Sequence, residues 1–111
     1  MGGRGDSTRS SDEKAERRAA QELIGTYHQE QLRIQLEHVR EGFVRFDQGE
    51  IDEFELDRVI FYYKRSAAEL WKFCGSGGGQ SLQAARALAN MRERGEEPDW
   101  WEAGAPRDRR A

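Results

Sequence analysis

The sequence contains one cysteine, two prolines and two histidines among its 111 residues. One thiol cannot form an internal disulfide or a thiolate metal cluster, and such usage fits a reducing compartment. Long hydrophobic runs are missing too. Nowhere does an uninterrupted apolar stretch approach the roughly 20 residues of a membrane span, and the opening MGGRGDSTRSSDEK has no apolar core after its first Arg. These absences predict a soluble, cytoplasmic chain. Lysine occurs only at positions 14, 64 and 72, leaving 15 of the 18 basic residues as Arg. Arginine favours planar, bidentate pairing with carboxylates or phosphates, although a GC-rich coding sequence yields the same bias. No segment is charged strongly enough to demand nucleic acid or a membrane. Residues 21–50 hold six acids against three bases, and residues 1–20 and 74–90 are each one positive charge in excess. At 36% hydrophobic and 35% charged, the chain can bury only a modest core.

What is present is helical periodicity. Residues 49–75 carry a start signal, a long apolar face and a stop. Asp52 and Glu55 form a capping box, bracketed by Ile51 and Leu56 as a hydrophobic staple. Leu56, Val59, Ile60, Tyr63, Ala67, Leu70, Trp71 and Cys74 recur at steps of three and four, and Gly75 supplies a left-handed stop. Upstream, Ser10 with Glu13 predicts a helix start near residue 10 or 11. Ala20, Leu23, Ile24 and Tyr27 form one stripe; Leu32, Leu36, Val39, Phe43 and Phe46 then repeat as a heptad seam. Gly25 lies near the change of phase, where it lowers helicity or bends the axis, and one helix over about residues 12–46 is expected.

Asp47 to Glu50 form a short turn, which places the two helices side by side and antiparallel. Residues 75–80 read as a Gly-rich linker rather than a phosphate cradle, since no strand precedes them and no Gly-Lys-Ser/Thr follows. Ser81 caps a shorter helix over residues 81–95, with Leu82, Ala85, Leu88, Ala89 and Met91 on its apolar side. Residues 1–10 form a flexible tail; its Arg4-Gly5-Asp6 tripeptide, a motif integrins read on extracellular loops, is attributed to chance in a chain without a secretion signal. Residues 96–111 hold Trp100 and Trp101, which are costly to leave in water and are expected to dock on this domain or on a partner.

Candidate chemistry is thin. Gly49, Ile51 and Glu55 match half of a calcium-binding loop, but positions one and three of that loop fall on Val44 and Phe46, so a turn plus a helix cap explains the match better. His28 and His38 complete no metal-ligand pattern and read as helix-surface or boundary residues. Cys74 sits on the apolar face with no base placed near it, the pattern of a buried structural thiol. No catalytic, cofactor-binding or metal residue is assigned. On α-helical geometry, Phe54 and Phe61 form a second stripe opposite the main seam of their helix, flanked by Arg58, Lys64, Arg65 and Lys72. Aromatic rings among cations can stack bases and pair phosphates. The plainer reading has the rings packing under the third helix or against another chain.

At Gly49-Glu50-Ile51-Asp52, Glu69-Leu70-Trp71-Lys72-Phe73-Cys74 and Asp99-Trp100-Trp101, the chain resembles small helical proteins of high-GC actinobacteria. The likeness spans about residues 27–103. It implies a cytoplasmic bacterial setting and transfers no activity, ligand or site residue.

The sequence therefore predicts an all-α protein: a long antiparallel αα-hairpin, a short third helix and flexible termini. Two helices with one apolar stripe each make a thin core, so homodimerisation of coiled-coil type or capture of a partner helix is expected. The expected role is a non-enzymatic protein-interaction module, within reach of an antitoxin-like or adaptor function. Its contact residues are Leu32, Leu36, Val39, Phe43, Phe54, Phe61, Trp71, Trp100 and Trp101. The alternative is a small nucleic-acid-binding regulator using Arg58, Lys64, Arg65 and Lys72.

Overall fold

The structure, a computed structural model, describes residues 3–75 and 81–105, with side chains from Ser11 onward. The rest of the expected Gly-rich linker, residues 76–80, and the end of the Trp-containing tail, residues 106–111, lie outside the described residues. So do the side chains of the Arg4-Gly5-Asp6 tripeptide. The chain is all-α: four helices and no strand occur among the described residues, namely α1 (Gly3–Asp47), α2 (Glu53–Cys74), α3 (Ser81–Glu93) and α4 (Trp100–Gly104). Helix α1 passes through Gly25 as a single element. It begins at Gly3 rather than near Ser10. Once a helix is nucleated each added residue gains a backbone hydrogen bond at little cost, and Ser10 then lies inside the helix, where no cap is needed.

The chain divides into two compact units. One comprises residues 1–27 and 74–97. In it Ala20, Ile24 and Tyr27 are buried on α1 at steps of four and three, together with Cys74 and with Ser81, Ala84 and Leu88 of α3. Of the expected first stripe, Leu23 stays about half exposed. Glu16 pairs with Arg86 at 3.4 Å, and the Arg92 guanidinium carbon stands 5.6 Å from the centre of the Tyr27 ring.

The other unit comprises residues 28–73 and 98–111. Its turn is closed by two linked devices. At the end of α1, the Glu50 N–H donates to the Arg45 carbonyl at 2.9 Å and the Gly49 N–H to the Phe46 carbonyl at 3.0 Å. That crossed pair needs a left-handed residue in the middle, and Gly49 supplies it with φ of 76°. At the start of α2, the Glu55 N–H donates to Asp52 Oδ1 at 2.8 Å and the Asp52 N–H donates to Glu55 Oε1 at 3.2 Å. This is the expected capping box, and Ile51 and Leu56 beside it are both buried. Gly49 and Glu55, the half-match to a calcium loop, are thus both engaged in ending one helix and starting the next.

Contacts along the pair run in opposite directions, since Gly42 meets Leu56 and Val59 while His28 meets Trp71, so the helices are antiparallel within this unit. The face of α1 that meets α2 differs from the expected heptad seam. Gln35 and Gly42 are buried, whereas Leu36 and Phe43 are 47% and 46% exposed. On a wheel of about 100° per residue the packed face is rotated roughly a quarter turn from the Leu32, Leu36, Val39, Phe43, Phe46 stripe. The reason is local: a β-carbon at position 42 would already lie 3.2 Å from Val59 Cγ1 and 3.4 Å from Leu56 Cδ1. Only the face carrying Gly42 allows this close an approach of α2. Substituting Asp52→Ala should destabilise the protein by about 1 kcal/mol and lower its melting temperature by roughly 4 °C or more, measured by circular dichroism, with Asp52→Asn nearly neutral.

Candidate interaction faces of the hairpin

Helix α4 covers one side of the hairpin. Asp99 caps it, its Oδ1 accepting from the Glu102 N–H at 3.2 Å. Trp101 stacks on His38 of α1 with ring centroids 4.3 Å apart and meets Tyr62 of α2 edge-on at 6.3 Å. Trp100 is buried, with its ring 5.1 Å from that of Phe73. Gly104 seats the helix end. A β-carbon there would fall 2.6 Å from Ser66 Cα and 2.7 Å from its Cβ, and would also press on the Ser66 backbone nitrogen. Ser66 itself is fully buried, its hydroxyl donating to the Tyr63 carbonyl at 3.0 Å.

Both rings dock on the chain itself, Trp100 buried and Trp101 half-buried. Proline and the absence of a period hid this helix in the sequence, but Asp99 followed three residues later by Glu102 was a legible cap signal. His38, Tyr62 and Ser66, which receive the tail, carried no such signal. Replacing Gly104→Ala should cost about 1 to 3 kcal/mol through overpacking and shift the tryptophan emission to the red as Trp100 leaves its site.

The opposite side of the hairpin is open. Leu36 and Phe43 stand roughly a third of a turn from the packed face of α1, and Leu32 and Val39 beside them are half-buried. From α2 the same side receives Ile60 and Ala67, both half-buried, and Trp71, which is 52% exposed with His28 packed against its ring at 5.4 Å. A shallow depression of about 420 Å³ on this side is lined by Gln29, Leu32, Arg33, Leu36, Glu37 and Arg40. All six come from α1, so no second element walls it in as an active-site cleft would require.

The outer face of α2 carries Phe54, 83% exposed, and Phe61, 54% exposed. Neither ring is buried in the fold. Of the cations expected to flank them, Arg65 lies over the Phe61 ring with its guanidinium carbon 5.9 Å from the centre, and Lys72 pairs with Glu69 at 3.4 Å. Arg58 and Lys64 are exposed on the same helix.

Titratable groups offer little chemistry. Burial pushes the Cys74 thiol up to about 11, so it stays protonated, and poorly nucleophilic, at neutral pH. His28 and His38 are both engaged with tryptophan rings. Among the described residues no three of His, Cys, Asp or Glu gather as a metal site, and no helix is long and apolar enough to cross a membrane. Comparison with protein-family models, curated protein sequences and solved structures gave no match.

Proposed function

We propose that the protein is a non-enzymatic interaction module that binds a protein through the open side of its hairpin. The observation that carries this reading is the exposure of Leu36, Phe43 and Trp71 along one side of the hairpin, with half-buried Leu32, Val39, Ile60 and Ala67 between them. Clustered apolar side chains of this size on a small domain are a liability in water unless something covers them. Two antiparallel helices with an apolar side in common form half of a helical bundle, ready to take up further helices. The single thiol, buried and protonated, suits a cytoplasmic setting for that role.

The nucleic-acid alternative draws less support. Arg65 and Lys72 are engaged by Phe61 and Glu69, and Asp57 and Glu69 lie close in sequence to the remaining cations of α2. Phosphate binding needs a field that these acids partly cancel.

The double substitution Leu36→Glu, Phe43→Glu separates folding from binding, because both side chains already reach water. It should keep the helical circular-dichroism spectrum and change stability by about 1 kcal/mol or less. In affinity capture from the native host, the wild-type chain should retain a protein, or untagged copies of itself, whose affinity falls about tenfold or more in the double variant. Identical retained proteins for the two chains would overturn the assignment of this face.

A further inference from the structure

The open side of the hairpin has a symmetry that names its occupant. Within the hairpin, Gly42 lies level with Leu56 and Val59, and His28 with Trp71, which sets Val39 level with Ile60. The apolar stripe of α1 is symmetric about Val39: Leu36 and Phe43 lie on either side of it, and Leu32 and Phe46 beyond them. A two-fold axis through Val39, perpendicular to the helix, would lay this stripe on its own copy with Leu36 facing Phe43. The charges of α2 obey the same axis. Asp57 and Lys64 flank Ile60 on the open side, three residues before it and four after. The axis therefore sets Asp57 against Lys64 of the copy, twice.

We infer that a second copy of this chain covers the open side of the hairpin, about a two-fold axis near Val39 and Ile60. The result is an antiparallel four-helix bundle in which α1 lies on α1 and α2 on α2. This rests on the reading of the open side as a binding surface and adds the partner and its register. Asp57 and Lys64 have no ion-pair partner among the described residues. The other symmetric stacking, with the axis along the helices, sets α1 on α2 of the copy; it brings Asp57 level with Gly42 and Lys64 level with Gln35, so the Asp57 and Lys64 pairing is lost. Isologous pairing also closes on itself, so the exposed apolar side is consumed without growth into fibres.

The test uses the full-length chain. Sedimentation equilibrium of the wild type should show a monomer–dimer equilibrium. Asp57→Lys should weaken the dimer about tenfold, through two new repulsions, and the swap Asp57→Lys with Lys64→Asp should restore most of the affinity. In a Cys74→Ala background, Ile60→Cys should form a disulfide-linked dimer under mild oxidation, and Phe54→Cys should not. Circular dichroism confirms that each variant is folded. A wild type that stays monomeric at all concentrations overturns the inference, as does a dimer in which Ile60→Cys links no faster than Phe54→Cys. A monomeric wild type that still loses a different retained protein on Leu36→Glu, Phe43→Glu would sink self-association alone and leave the interaction module standing.

Discussion

The close approach of α2 to α1 at Gly42 is the contact on which the rest of the hairpin depends. It decides which face of α1 is spent on folding. Had α2 packed on the Leu36 and Phe43 stripe, the hairpin would hold a conventional leucine and phenylalanine core and present a polar back. Instead a glycine and a glutamine occupy the interface. Gln35 is 1% exposed; its amide nitrogen donates to the Gln31 carbonyl at 3.2 Å, and its buried Oε1 has no partner among the described residues. A buried acceptor left unsatisfied costs about 1 to 3 kcal/mol. The better apolar stripe is left facing outward. Folding thereby uses one face of the helix and leaves its more apolar stripe exposed.

The two sides of the hairpin then have separate fates. The side bearing His38, Tyr62 and Ser66 is closed by α4, where Trp101 stacks, Trp100 is buried and Gly104 fits against Ser66. On the other side Leu36, Phe43 and Trp71 stay about half exposed. A short terminal helix can close one side of a two-helix unit; a bundle requires a second pair of helices for the other. That division gives the double tryptophan a structural role and leaves Leu36, Phe43 and Trp71 exposed on α1 and α2.

Much of the fold was legible in the sequence where local chemistry decides it. The Asp52 and Glu55 cap, the Gly49 turn and the Gly75 stop all follow from backbone requirements that few residues meet. Which face of α1 packs was not legible, because periodicity finds apolar stripes and says nothing about how near two backbones can come. Gly42 reads as a weak helix residue until Val59 is placed against it. The tail was half legible: tryptophan chemistry foretold that it docks, while its receptors, a histidine, a tyrosine and a serine, are ordinary on a helix. Several residues expected to bind a partner, Leu32, Leu36, Val39, Phe43 and Trp71, lie together on the open side for a reason the heptad pattern could not supply.

The central claim is that this side is a binding surface and not a core that failed to form. Hydroxyl-radical labelling read residue by residue across protein concentration tests it most directly. Phe43 should be labelled readily in dilute solution and lose reactivity as the protein associates, while Phe54, 83% exposed on the outer face of α2, keeps a constant rate. Equal labelling of Phe43 at every concentration, or protection of Phe54 in its place, would contradict the account.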